Sequence, residues 1–377
     1  MIKIMIAPSR YVQGPGVLKE IGNYVLPLGS RIFFIGGPKA LSSGRGPISA
    51  SLDEKAIEYR FEEFSGECTR ANAMKLAEKA HSFKATVIAG IGGGRAIDTA
   101  KAVSHELNSA LIIIPTVASN DAPCSALSVQ YKEDHTLDRF LLLKKNPDVV
   151  LVDSKVIAEG PTRYFVAGMG DALATWFEAF TCTKSSAKSM AGGQTTIAAL
   201  NLARLCFDTL MEYGVSAKLA VDRKAVTPAV ERVIEANILL SGLGFESSGL
   251  AAAHGIHEGL HALEGTEGAL HGELVAFGTI AQLVMEDYPG NEIKSVIDFC
   301  KAVGLPVTLR QLGILDKSPG NLLRAAEAAC REGLTTHNSY FNINPELILG
   351  ALIGADALGE ESLKAKESSG FRVRSSE

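Results

Sequence analysis

Ala85-Thr-Val-Ile-Ala-Gly-Ile-Gly-Gly-Gly-Arg-Ala-Ile-Asp-Thr-Ala-Lys101 decides the fold. Residues 85–89 form an apolar run of the kind expected when both faces of a strand are covered. Three consecutive glycines follow, and 96–107 has helical periodicity. Strand, glycine turn and helix in that order open a crossover of a parallel sheet. Glycines let backbone N–H groups approach an anion with no Cβ in the way, and a helix N-terminus adds partial positive charge. The spacing matches neither G-x-G-x-x-G nor the G-K-[ST] ending of a P-loop. By itself the turn therefore reads either as a phosphate cradle or as a turn without a ligand. Asp98 and Lys101, three apart on one helical face, read as a surface ion pair.

The same alternation extends through the first 155 residues. Apolar runs at 31–35, 111–114 and 149–152 read as further buried strands, 72–83 as a helix, and 125–131 with 140–143 as a hairpin. After about 160 the text is Ala-, Leu- and Glu-rich. Helices are expected at 162–181, 193–213, 227–242, 249–262, 274–287, 291–303, 319–331 and 345–358, with a fraying tail after Gly359. The expected architecture is an α/β Rossmann-like parallel-sheet domain over 1–157 and an all-α domain over 158–377, with the boundary where Pro161 opens a helix.

Composition narrows the class. The 377 residues are 46% hydrophobic and 21% charged with a net charge of −5, which excludes a disordered chain and lacks the basic footprint of a nucleic-acid binder. No run approaches 18 apolar residues, so no membrane span is expected, and the apolar stretch at the N-terminus is too short for a signal peptide. The six cysteines are scattered without a C-x-x-C, which argues against a zinc ribbon and fits a reducing, cytoplasmic setting.

Three further segments carry chemistry. Pro115-Thr-Val-Ala-Ser-Asn-Asp-Ala-Pro-Cys-Ser125 crowds hydroxyl and amide groups after a strand, at the edge where open α/β sheets bind ligands. His254, His257 and His261 share one helical face, and His271 follows a Gly-containing loop. Imidazole is the commonest metal ligand, but the pattern does not choose which histidines coordinate or which carboxylate joins them. Asp171, in Gly168-Met-Gly-Asp-Ala-Leu-Ala-Thr-Trp-Phe-Glu178, is a lone acid in an apolar Gly/Ala helix. It is either paired with a cation or on the exposed side of that helix.

At these motifs, and at Tyr11-Val-Gln-Gly14, Thr227-Pro-Ala-Val-Glu-Arg-Val-Ile-Glu-Ala-Asn237 and His271-Gly-Glu-Leu-Val-Ala-Phe-Gly278, the chain resembles the glycerol dehydrogenase branch of the iron-containing (group III) alcohol dehydrogenase superfamily over nearly its whole length. The resemblance implies the fold shared with dehydroquinate synthase and a zinc-dependent, NAD-linked oxidation of glycerol to dihydroxyacetone, with other vicinal diols as substrates. It also implies a homo-oligomer, often an octamer. The implied metal ligands are Asp171, His254 and His271. The implied dinucleotide contacts are Gly93, Gly94, Arg95, Thr116, Ser119, Ser125, Leu127 and Tyr131, and Gly37 and Asp98 are counted with them as cofactor-binding residues. Asp121 is the implied substrate contact, and His257 a supporting or proton-relaying residue. Three departures stand out. Thr175 occupies the place of a fourth, histidine ligand of the iron branch, which leaves a three-residue set suited to a catalytic zinc. Gly37 replaces an aspartate that would bond the adenosine ribose hydroxyls and repel a 2′-phosphate, with Lys39 close by, so strict preference for NAD over NADP is weakened. Arg95 replaces a lysine.

The rival expectations are a dehydrogenase for another small alcohol, amino alcohol or 2-hydroxy acid, and a dehydroquinate synthase-type lyase. The lyase requires many basic groups for an acidic substrate, whereas 254–273 holds four glutamates and no Lys or Arg. A non-enzymatic binding role leaves the Asp/His/His set unexplained.

Overall fold

The structure is a computed structural model that describes residues 2–133 and 136–369. Its strands in chain order are β1 (Tyr11–Gly14), β2 (Arg31–Gly36), β3 (Glu58–Glu63), β4 (Val87–Gly92), β5 (Ala110–Pro115), β6 (Leu127–Tyr131), β7 (Leu137–Leu142) and β8 (Val149–Asp153). Six form one parallel sheet in the order β1-β8-β5-β4-β2-β3, and β6 and β7 pair as an antiparallel hairpin. The apolar runs are buried on both faces because successive side chains alternate between two cores. Phe33, Ile35, Ile88, Ile113 and Val150 enter one core, and Ile32, Phe34, Val87, Ile112 and Val149 the other. The first core continues without a break into the helical half through Phe165, Met169 and Phe277.

From β2 the sheet grows outward to β3 and then reverses through β4 on the other side. The reversal opens a crevice at the carboxyl ends of β2 and β4, where open α/β sheets bind ligands. Gly37, which caps the Pro38–Glu54 helix, and Gly93, which caps the Gly94–Leu107 helix, both stand at that crevice. The central strand runs three residues further than its apolar core suggests, so Gly90 and Gly92 belong to it. A Cβ at Gly90 would stand 2.8 Å from the Ala100 Cβ, so that glycine serves helix–strand packing, while Gly93 and Gly94 begin the helix.

After Asp153 the described residues contain helices and no strand beyond an isolated bridge from Lys3 to Gln194. Helices occupy Thr162–Ser185, Ile197–Asp222, Ala252–Leu260, His271–Met285, Gly290–Val303, Pro319–Ala329 and Pro345–Ser369. The helix expected over 227–242 is Pro228–Glu235, a π-helical turn at Ala236–Leu240, and Ser241–Ser248. The tail expected to fray stays helical to Ser369, and 370–377 lie outside the described residues. No described helix is long and apolar enough to cross a membrane.

Glycines set how closely the site-bearing helices meet. A Cβ at Gly168 would lie 1.8 Å from the Ala118 carbonyl oxygen, one at Gly170 2.2 Å from that of Gly272, and one at Gly272 1.8 Å from that of Ala167. All three obstacles are backbone, which cannot swing aside. We therefore expect Gly168→Ala and Gly272→Ala each to destabilise by about 3 kcal/mol. Gly350→Ala, on an exposed helical face with nothing near its Cβ, should stabilise by about 0.5–1 kcal/mol. Urea unfolding of the three variants checks the contrast.

Candidate metal and dinucleotide site

The Thr162–Ser185 helix carries Asp171, Thr175 and Glu178 on successive turns, all at most 1% exposed. Asp171 is therefore not on a solvent-facing side. Its Oδ1 lies 3.3 Å from His254 Nε2 and 3.0 Å from His271 Nε2, and its Oδ2 accepts the Asp121 backbone N–H at 3.1 Å. The ligand atoms of Asp171, His254 and His271 all lie within 4.8 Å of one another, so the structure brings together the three residues named from the resemblance.

Hydrogen bonds around the cluster assign its tautomers. Glu178 accepts the backbone N–H groups of Ala251 and His254 and meets His254 Nδ1 at 2.7 Å. A carboxylate only accepts, so Nδ1 carries the proton and Nε2 turns a lone pair toward Asp171. His271 Nδ1 lies 3.1 Å from His257 Nε2, which leaves His271 Nε2 facing Asp171 in the same way. Lone pair then meets carboxylate at two short contacts unless a proton or a metal cation lies among them. Tetrahedral zinc with nitrogen and oxygen ligands at ~2.0–2.1 Å places its donors about 3.3 Å apart, which the Asp171–His contacts already match. The donor set fits a divalent metal.

The electrostatics agree. Burial opposes charge on both imidazoles, yet Glu178 and Asp171 raise His254 well above its ordinary value, and Asp171 raises His271. Burial alone would raise Asp171, but the two imidazoles hold it below the usual carboxylate range. Asp121 goes the other way: burial and the neighbouring Asp171 push it up to about 8. Burial and the adjacent His271 lower His257, leaving it a neutral acceptor. His261 Nε2 also meets His257 Nε2, at 3.1 Å, while His257 Nδ1 is buried without a hydrogen bond, 3.7 Å from Glu258 Oε1. Both histidine neighbours meet the same nitrogen, so His257 stands against the ring of His271 as a supporting contact.

Thr175 bonds Ser241 at 2.8 Å, and Ser241 donates to Asp121 Oδ2 at 2.7 Å. Ser241 begins the helix after the π-helical turn, whose Asn237 donates to the Ala118 and Phe165 carbonyls. Such turns often mark functional sites. Here the turn ties the 115–125 loop to the Asp171 helix.

The dinucleotide candidates divide by depth. Gly37, Gly93, Gly94, Thr116, Ser119 and Tyr131 are half-buried, and Arg95 is exposed and paired with Glu67 at 3.1 Å. Asp98, Ser125 and Leu127 are buried. Lys101 is fully buried, 4.0 Å from Asp98, so the surface ion pair expected from the sequence is a core pair instead. Sequence reading also missed Glu178. Its signal was a second acid two helical turns after Asp171 on the same helix.

Residues 8–154 match the family described as iron-containing alcohol dehydrogenase. The chain is 46% identical over 367 residues to a glycerol dehydrogenase of Escherichia coli, covering 97% of this chain and all of the relative. A glycolaldehyde reductase of Halobacterium salinarum is 42% identical, covering 95% of this chain and 98% of the relative. The solved glycerol dehydrogenase of Schizosaccharomyces pombe superimposes with a TM-score of 0.93 at 35% identity, over 99% of this chain and 94% of that one. Fold, site and similarity together define an NAD-linked alcohol oxidoreductase. The chain belongs to the iron-containing alcohol dehydrogenase family.

Glu178→Gln tests the tautomer argument. A glutamine can still accept the two backbone N–H groups, but its amide then donates toward His254 Nδ1 and forces the proton onto Nε2. We expect metal affinity to fall roughly 10- to 100-fold, measured by competition with a chromogenic chelator.

Proposed function

We propose that the protein oxidises glycerol to dihydroxyacetone with NAD⁺ as hydride acceptor, accepts other vicinal diols, and uses a divalent metal, zinc, held by Asp171, His254 and His271. The cluster of buried Asp171 with half-buried His254 and His271, beside Asp121, carries this reading. When bound, the metal supplies Lewis acidity toward an alcohol hydroxyl. Three protein ligands make a catalytic rather than a closed structural set. The chain's own residues do the remainder. Asp121, anchored by Ser241, orients the diol. Glu178 and His257 hold the two imidazoles. The turn at Gly93 and Gly94 receives the pyrophosphate on backbone N–H groups at the start of a helix. Thr116, Ser119 and Tyr131 contact the rest of the dinucleotide in this reading, and Arg95 must exchange Glu67 for a phosphate to take part. A cytoplasmic homo-oligomer, octameric by resemblance, with domains at 1–157 and 158–377, completes the proposal.

The deciding experiment is a panel of glycerol, 1,2-propanediol, 2,3-butanediol, 1-amino-2-propanol and lactate, each with NAD⁺ and NADP⁺, with and without added zinc. The highest kcat/KM should belong to glycerol or another vicinal diol with NAD⁺ and zinc. Preference for lactate or for the amino alcohol would shift the assignment to a different dehydrogenase. His254→Ala and His271→Ala should fold, lose zinc and lose nearly all turnover. Full zinc occupancy in both would remove them from the ligand set.

Cofactor choice has its own test. Gly37 has extended backbone, and only the Phe64 carbonyl oxygen, at 3.9 Å, approaches a Cβ placed there, so an aspartate fits. A carboxylate would accept ribose hydroxyl bonds and repel a 2′-phosphate. Wild type should prefer NAD⁺ with measurable NADP⁺ activity. Gly37→Asp should widen the preference about ten- to a hundredfold, read as kcat/KM for both cofactors.

A further inference from the structure

The Gly94–Leu107 helix buries a lysine that the chemistry above does not use. Lys101 is 0% exposed. Its ammonium donates to the Ala122 carbonyl at 2.6 Å, the Ser125 hydroxyl at 2.9 Å and the Leu127 carbonyl at 2.7 Å, so its three protons have three acceptors. All three acceptors belong to one stretch, 122–127. That stretch begins beside Asp121, whose backbone N–H is held by Asp171, and ends in β6. Asp98, one turn earlier on the same helix, completes the junction. Its carboxylate accepts the Val129 N–H, and its backbone carbonyl accepts from the Ser128 hydroxyl at 2.9 Å. Its Oδ1, buried without a hydrogen bond, lies 4.0 Å from the Lys101 ammonium.

A hairpin can be docked on a helix with apolar side chains alone, and at lower cost than a desolvated ion pair. What the pair adds is register. Three directional bonds from one atom fix where 122–127 lies along the helix that begins at the glycine turn. We propose that Lys101 is a positioning residue: it holds 122–127 so that Asp121 and β6 keep a set spacing from the glycine turn, an inference that rests on reading that turn as a dinucleotide site. The charges around the ammonium fit this role. Burial lowers the Lys101 amine, and the Asp98 carboxylate 4.0 Å away opposes that effect and favours the charged form that makes all three bonds.

Two variants of the full-length enzyme test this. Lys101→Met keeps the length and removes every donor, and Lys101→Arg keeps the charge but spreads its donors over a planar fork that does not reproduce the three bonds. The readouts are the cooperative thermal melt, zinc affinity by chelator competition, NADH affinity by fluorescence titration, and kcat and KM for glycerol. Folded variants should bind zinc within about threefold of wild type. Their NADH dissociation constant should rise about tenfold or more, and kcat should fall about a hundredfold with a smaller change in KM for glycerol. A folded variant with a lowered melting temperature but wild-type NADH affinity and kcat would make Lys101 purely structural and overturn the proposal, as would failure of both variants to fold. Wild type that binds no NADH would instead overturn the dinucleotide reading, so the two failures are distinct.

Discussion

A wholly buried carboxylate governs this molecule. Asp171 lies in a helix of Gly, Ala and apolar side chains, where an isolated charge would cost several kcal/mol. Every partner that makes it tolerable comes from another segment: the Asp121 amide from the loop after β5, His254 from one helix, and His271 from the first turn of another. Those segments reach it only because the helices have no side chain where they touch. Gly168 faces the Ala118 carbonyl, and Gly170 and Gly272 let two backbones meet. The glycines are the steric complement of the charge. Together they join the sheet half to the helical half at the point where the chemistry would occur.

Support then spreads outward in layers of hydrogen bonds. Glu178 fixes the His254 ring, and His257 meets the His271 ring. At the N-terminus of the His271 helix, Glu273 accepts the Leu270 amide and Arg163 bridges Glu273 to the Gly268 carbonyl, which sets the angle at which His271 enters the cluster. Such outer contacts hold side chains within the tolerance that catalysis demands.

The parallel sheet was legible because β2, β4, β5 and β8 are covered on both faces and read as unbroken apolar text. β3 was not. It is an edge strand whose Glu58, Arg60 and Glu62 face outward or into ion pairs, leaving only Tyr59 and Phe61 as an apolar signal. The Pro38–Glu54 helix was hidden by Gly44, Gly46 and Pro47, residues that ordinarily end helices. β1 is four residues long, with nothing in its composition to mark it. At the site, the histidine spacing pointed to one face of a helix, and the structure adds what spacing cannot hold: Asp171 comes from about 80 residues upstream of His254 by fold alone. Burial was the other blind spot. Asp98 and Lys101 at i and i+3 look like any surface pair, and only the hairpin folded over them turns that pair into a core element.

Thr175 shows how one position can set the character of the whole cluster. It stands one helical turn after Asp171 and is 1% exposed. Its hydroxyl turns to Ser241, which turns to Asp121. The position is thus spent on a pair of hydroxyls that anchors the Asp121 carboxylate beside the Asp171, His254 and His271 cluster. A closed set of four protein ligands satisfies a metal and stabilises a fold, whereas three ligands with an anchored acid alongside reserve space for a polar small molecule. The energetic cost of burying Asp171, Asp121 and Glu178 together is therefore difficult to explain by stability alone. It follows directly if the interior is built to receive a cation and an alcohol together.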